Sequence, residues 1–295
     1  MLILNSFAKL NLYLEVLCRR KDNYHNLKTV FERIDLCDKI VLKTRRDKKI
    51  NITCNVDSVP RDNTNLAYRS AKLLQDRFDL NKGVDIKIIK RIPVGSGMGG
   101  GSSNAAFVLM GLNKLWKLNL TQRKLAGLAR KLGCDVPFFI YNTPFALGEA
   151  RGDKIKPLKA LSNVRLWHIL AVPKIEVSTA SIYKSWDAKK LEKNKRAGLT
   201  MPKYNVNILI LALGKSDLAL IGKALFNSLG PVTARLYPQM RRIKEKLALL
   251  GLKSILMSGS GPAVFGIVSS RKEALSLRRQ LESNSSWQVF VARTR

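Results

Sequence analysis

Histidine and cysteine are scarce in this chain of 295 residues. It has two histidines, His25 and His168, and four cysteines, Cys18, Cys37, Cys54 and Cys134, with no Cys-x-x-Cys pair. That spacing argues against a zinc site and against a disulfide framework, and predicts reduced, mostly buried thiols. No apolar run reaches the roughly 18 residues of a membrane-spanning helix. The opening Met1-Leu2-Ile3-Leu4-Asn5 is too short and too polar for a signal peptide, so a soluble cytoplasmic protein without a membrane partner is expected. Hydrophobic residues at 46% and charged residues at 25% are globular averages, which excludes a disordered or collagen-like chain.

Acidic residues are also few. Against 53 Lys and Arg stand 21 Asp and Glu, a formal net charge of +32. Phosphate neutralisation supplies most non-specific nucleic-acid affinity, so such an excess raises nucleic-acid contact as one use. The basic residues are nevertheless spread along the chain, with modest clusters at Arg45–Lys49 and Lys189–Arg196. There is no basic tail and no aromatic RNA-binding signature. A compositional habit of the genome or a solvated surface is the favoured reading of such a spread, ahead of nucleic-acid contact and attraction of small polyanionic substrates, and charge alone does not decide function.

The hydrophobic pattern alternates at the start. Leu10, Leu12, Leu14 and Val16 interleave with Lys9, Asn11, Tyr13 and Glu15, which predicts a strand whose Lys9 and Asn11 point together, away from the leucine face. Extended segments are expected at 29–42, 50–54 and 84–88. A helix follows Asn65 as N-cap, and another opens at Thr121 and closes on Gly133. After residue 155 the pattern restarts. Strands are expected at 166–172, 254–257, 264–268 and 287–292, and helices near 205–213, 216–227, 237–250 and 271–283, with the Lys-rich stretch 184–203 left open. Two mixed halves, 1–155 and 156–295, are the economical reading.

The richest segment follows Pro93: Gly95-Ser96-Gly97-Met98-Gly99-Gly100-Gly101-Ser102-Ser103-Asn104, running into an apolar helix. Strand, glycine loop and helix N-terminus make an anion site, because unsatisfied N–H groups and the positive dipole end converge there. The P-loop form is excluded, since no Lys follows Gly101. Gly95-x-Gly97-x-x-Gly100 matches the dinucleotide fingerprint, but no Asp or Glu occurs between Arg91 and Cys134 to bind a ribose. What remains is a phosphate cradle, a strand Lys and an Asp at a turn. Phosphoryl transfer needs that set: donors for the non-bridging oxygens, a cation, and a carboxylate to take a hydroxyl proton late. Each residue also has a plainer use. Lys9 suits a solvated face, Asp135 a turn or cap, His25 a polar surface and Tyr183 helix packing.

Five segments carry a resemblance to a known family. They are Ala8–Leu12, Tyr24–Phe31, Pro93–Ala106, Leu132–Phe138 and Met257–Gly266, in order along nearly the whole chain. At these residues the sequence resembles the GHMP kinases, the galacto-, homoserine, mevalonate and phosphomevalonate kinases. The resemblance implies an α+β fold, with an N-terminal ATP-binding domain like domain 2 of a small-subunit ribosomal protein and a C-terminal ferredoxin-like domain. The site would lie between them. Tyr24-His25 and Gly133-Cys134-Asp135-Val136-Pro137 resemble the member that uses ATP to phosphorylate the 2-hydroxyl of a cytidine-diphosphate-linked methylerythritol. The implied roles are Asp135 as base, with Lys9 orienting it and stabilising charge. Asn11 would hold the methylerythritol, and Tyr24, His25 and Phe31 the cytosine, with Tyr183 closing over it. Val94, Gly95, Ser96, Gly97, Met98, Gly99, Gly100, Gly101, Ser102, Ser103 and Asn104 would wrap the ATP phosphates, and Asn65 and Leu66 would lie near the adenine. No Glu lies near Asn104–Trp116 to serve as a metal ligand, so Mg²⁺ is expected to arrive mainly on ATP. Ser96 and Met98 depart mildly from relatives, nothing is assigned to Gly148–Asp153, and the +32 charge is unexplained by the family.

Overall fold

The computed structural model describes residues 1–194, 205–282 and 286–295. Two long strands, β1 (Leu2–Arg19) and β2 (His25–Arg45), form the spine. They pair antiparallel from Leu2 opposite Leu42 to Arg19 opposite His25, with irregularities at Phe7/Ala8, Asn11/Tyr13 and Val16/Arg19. The chain continues through β3 (Ile50–Cys54), α1 (Leu66–Phe78), β4 (Gly83–Ile89), α2 (Gly100–Leu115), α3 (Gln122–Ala129), α4 (Val136–Ile140), β5 (Phe145–Glu149) and β6 (Lys154–Pro157). The second part holds β7 (Trp167–Pro173), α5 (Thr179–Asn194), α6 (Val206–Gly214), α7 (Leu218–Ala224), β8 (Phe226–Asn227), α8 (Gly230–Leu236), α9 (Pro238–Leu249), β9 (Ile255–Met257), β10 (Val264–Val268), α10 (Arg271–Glu282) and β11 (Trp287–Arg293).

The first sheet runs β3-β4-β2-β1-β8 and carries β5 and β6 as a branch from β2; the second runs β11-β7-β10-β9. Length explains the branch. The far end of β2 pairs with β4 while residues 29–32 pair with β5, so one strand serves two neighbours. The four helices of the first part, α1 to α4, share one core with the first sheet, and α2 packs closely because Gly111 meets it. A Cβ there would lie 2.4 Å from Leu42 Cδ1 and 2.8 Å from Leu4 Cδ1. Both faces of β1 are buried. Leu10 and Leu12 join Leu170, Val172 and Phe265 in a core shared by the two sheets, while Leu14 and Val16 join a third cluster with Val264 and Met240.

Several expectations hold in detail. Asn65 caps α1 through its side chain, Thr121 caps α3, and β3 and β10 fall on their expected residues. Others are corrected. Gly133 is not a left-handed cap: α3 stops at Ala129, and tightened turns at Lys131 and Leu132 lead away from it. The helix expected over 216–227 ends at Ala224, because Leu225 turns extended and Phe226 and Asn227 pair with Tyr13 and Leu14. The helix α8 follows unannounced. All four thiols are free, but they are less buried than expected: Cys18 at the end of β1 is exposed and the other three are half-buried. Of the open stretch 184–203, residues 184–194 continue α5; the rest lies outside the described residues.

Candidate active site

The glycine loop is built by three residues with positive φ, Gly95 (68°), Gly97 (76°) and Gly99 (70°). Gly99 is also the N-cap of α2 and supplies no side chain, so the first-turn N–H groups of a 16-residue helix face outward unclaimed by a cap. The loop is anchored from beneath. Met98 is wholly buried, its carbonyl accepts from Lys9 N (3.0 Å), and the Ser96 carbonyl accepts from Ala263 N (3.0 Å). A buried carboxylate fixes both ends: Asp38 accepts from Arg91 N (2.8 Å), Ile92 N (2.9 Å), Asn104 Nδ2 (2.9 Å) and Lys90 Nζ. Ser103 Oγ bonds Ser6 Oγ (2.7 Å), so the side chains of Ser103 and Asn104 point into the protein, while Ser102 lines the cavity.

The second glycine motif, Ser258–Pro262, lies against the first. A Cβ on Gly97 would sit 2.5 Å from the Ser258 carbonyl, and Ser258 Oγ donates to the Gly97 carbonyl (3.2 Å). Between them stands Lys9, almost fully buried. Its Nζ donates to Asn11 Oδ1 (2.6 Å) and the Gly97 carbonyl (2.7 Å) and lies 3.5 Å from Asp135 Oδ2. Asn11 is fixed in turn, donating to Thr29 Oγ1 (2.8 Å). Asp135 occupies the N-cap position of α4 yet makes no capping hydrogen bond there. Its carboxylate, 36% exposed, faces Lys9 and the cavity instead.

That cavity has a volume of about 1,120 Å³ and extends from Lys9, Asp135 and Ser102 to His25 and Tyr183. At its far end His25 stacks on Tyr183 (centroids 5.1 Å apart, 25° between planes), meets Trp186 edge-on and places Nε2 2.8 Å from Asp187 Oδ1. Burial, with Asp135 and Cys134 nearby, pushes the Tyr183 phenol well above its ordinary pKa, so it stays neutral. Phe31 lies against Phe138 (4.9 Å) with Lys9 Nζ 5.8 Å from its ring centre. Tyr24 is half exposed at the mouth, under the Arg151 guanidinium at 5.0 Å. The N-terminus of α5, which carries Tyr183 and Asp187, is tied to the second glycine motif where Thr179 Oγ1 meets Ser260 Oγ (2.8 Å).

The expected residues Lys9, Asn11, Tyr24, His25, Phe31, Gly97, Gly99, Ser102, Asp135 and Tyr183 therefore share one cavity wall. Asn65 and Leu66 do not line it: the Asn65 side chain is spent on Ala67 N and the Pro60 carbonyl. Val94, Gly95, Ser96, Met98, Gly100, Gly101, Ser103 and Asn104 also lie outside its lining, as loop main chain or buried anchors. Sequence reading missed Arg151, Asp187 and Asp38. The Gly-rich turn at 148–153 was the one available signal for Arg151.

Comparison with known proteins agrees with this geometry. Residues 65–143 match the GHMP kinases N terminal domain and residues 209–286 the GHMP kinases C terminal. The chain belongs to the GHMP kinases, a family of phosphotransferases. The 4-diphosphocytidyl-2-C-methyl-D-erythritol kinase of Alkaliphilus metalliredigens is 40% identical over 278 residues, 94% of this chain and 91% of that protein. The protein of the same name from Gloeobacter violaceus is 39% identical over 293 residues, 99% of this chain and 93% of that one. A solved structure of 4-(cytidine 5'-diphospho)-2C-methyl-D-erythritol kinase, 30% identical, superposes with a TM-score of 0.80 over 99% of this chain and 98% of its own. A mevalonate kinase structure, 16% identical, shares the fold at a TM-score of 0.73.

Proposed function

We propose that the protein transfers the γ-phosphoryl group of ATP to the 2-hydroxyl of 4-diphosphocytidyl-2-C-methyl-D-erythritol. The observation that carries this reading is one continuous cavity, with a lysine–aspartate pair and a glycine loop at one end and an aromatic cleft at the other. Residues 1–155 supply the ATP side, and residues 156–295 supply α5 and the second glycine motif.

Asp135 accepts the hydroxyl proton as the oxygen–phosphorus bond forms. Lys9, with two of its three donors fixed by Asn11 and Gly97, holds its third toward Asp135 and the charge developing on the transferred group. Loop N–H groups from 94–104 and the α2 N-terminus bind the triphosphate. The base enters the cleft of Tyr24, His25 and Tyr183, where aromatic faces and a polar imidazole suit a planar heterocycle better than a polyol. Arg19, Arg151 and Lys184, which line the same cavity, complement the diphosphate.

Among the described residues no three His, Cys, Asp or Glu side chains cluster as a metal site. Asp135 and Ser102 line the cavity beside the loop with side-chain oxygens, a sparse set that fits a Mg²⁺ that would keep ATP phosphates and water as most of its ligands. Bound in that way, Mg²⁺ neutralises phosphate charge. The test is Asp135→Asn. Turnover falls by about 10²–10⁴ while calorimetric affinity for the cytidine substrate is retained. A variant that keeps most of the wild-type turnover would overturn the assignment of Asp135 as base.

A further inference from the structure

A second cleft, of about 390 Å³, opens where the two sheets meet, and it is lined by Phe7, Arg33, Asn142, Arg165, Arg293 and Arg295 among others. Its composition is unusual: four guanidinium groups on one small surface, brought together from β2, from the segment before β7 and from the end of the chain's last strand. Arg293 has a carboxylate neighbour, Asp35, at 3.7 Å. Arg33, Arg165 and Arg295 have no side-chain carboxylate within ion-pair distance among the described residues: Arg165 bonds the carbonyls of Ser162 and Val164, and Arg33 bonds Asn142 Oδ1 and the Arg295 main-chain oxygen. A main-chain carboxylate at Arg295 would still leave the cleft positive.

One of the four arginines is held in place at the floor of the cleft, and the other three are exposed around it. Arg33 is 7% exposed, donates from Nε to the Arg295 main-chain oxygen (3.0 Å) and from its terminal nitrogen to Asn142 Oδ1. The guanidinium carbons of Arg33 and Arg295 each lie 5.5 Å from the centre of the Phe7 ring. Thr294, between the two C-terminal arginines, is buried, bridges to Ile34 and bonds Glu32. Burying like charges together without a counter-ion is unfavourable. Desolvation, followed by the fields of Arg295 and Arg165, pulls the Arg33 pKa down to about 10.

We propose that this cleft is a binding site for a compact, multiply charged phosphate, of the size and charge of inorganic diphosphate, separate from the active site. Guanidinium forks match phosphate oxygens two at a time, and the fixed Arg33 loses little side-chain freedom on binding. The volume suits a diphosphate and is about a third of the active-site cavity. The cleft shares two elements with the active site: β2 carries Phe31 and Arg33 two residues apart, and α4 runs from its N-cap Asp135 to Ile140, two residues before Asn142. An anion there would bridge the two sheets.

The test is calorimetric titration of the full chain with inorganic diphosphate, its active-site cavity saturated with a non-hydrolysable ATP analogue, Mg²⁺ and 4-diphosphocytidyl-2-C-methyl-D-erythritol. The wild type takes up one diphosphate per chain, with an affinity that falls as salt rises. The double variant Arg165→Gln/Arg295→Gln binds it roughly tenfold or more weakly, with unchanged kinase turnover and unchanged thermal midpoint. Arg33→Gln, which also loses buried hydrogen bonds and so some stability, binds it more weakly to a similar degree. A free nucleoside monophosphate binding as tightly as diphosphate, in the wild type only, would replace diphosphate as the ligand and overturn the stated class. Absence of uptake, or equal uptake by the wild type and the double variant, would mean that only the loop or the diffuse surface charge attracts it, and would overturn the site.

Discussion

Lys9 illustrates what a single residue's surroundings add to its type. Alternation in the sequence sets Lys9 and Asn11 on one face, and the structure joins them at 2.6 Å with Asp135 beyond. The same reading could not reach Asp187 or Asp38, because each acts through partners far away in sequence: His25 is 162 residues from Asp187, and Asn104 is 66 from Asp38. Cys134, next to Asp135, gives a prediction that depends on pH. Burial, set against Arg151, pushes its thiol up to about 11, so at pH 7.5 it is protonated and a weak nucleophile. Iodoacetamide is expected to label the exposed Cys18 first, and the Cys134 rate to climb about tenfold per pH unit between pH 8 and 10 as the thiolate fraction grows. Mass spectrometry of digested protein reads both sites; equal labelling of the two at pH 7.5 would contradict the assignment.

At the level of elements, the glycine loop depends on a close approach that only glycine permits. Gly97 combines a φ of 76° with a Cβ position 2.5 Å from the Ser258 carbonyl and 2.9 Å from that of Gly261. Gly97→Ala must therefore displace one glycine motif from the other, and with it the carbonyl that holds Lys9. The expected outcome is a rise of about tenfold in KM for ATP together with a fall in kcat, measured by steady-state kinetics; Gly127→Ala, at an exposed position of α3 with open space around it, serves as the control. Where local chemistry decides an element, as in the capped helix α1 or the alternating strand β3, the residues alone locate it. Where a distant strand decides, they do not. Phe226 and Asn227 leave a helical pattern because Tyr13 and Leu14 offer ladder partners.

On the scale of the whole molecule, the two sheets are joined by a buried polar bridge that no motif announced. Glu32 of β2 meets His168 of β7 at 2.9 Å and the Thr294 hydroxyl at 2.6 Å, and both Glu32 and His168 are wholly buried. Glu32 Oε2 and His168 Nδ1 have no further partner. His168→Ala takes a hydrogen-bond partner from buried Glu32 and leaves a cavity, so it is expected to cost about 3 kcal/mol and to lower the thermal midpoint by roughly 5 °C. Glu32→Gln, which keeps an acceptor for Thr294, is expected to cost less. Equal midpoints for His168→Ala and the wild type, read by calorimetry, would contradict a stabilising bridge. The active-site cavity depends on the same assembly, since β1 supplies Lys9 and the second part supplies Tyr183 and Ser260. The most direct measurement is coupled ADP release with Mg-ATP and, in parallel, 4-diphosphocytidyl-2-C-methyl-D-erythritol, mevalonate, homoserine and galactose. Turnover confined to the cytidine compound is the predicted result; turnover of another alcohol with silence on that one would contradict it.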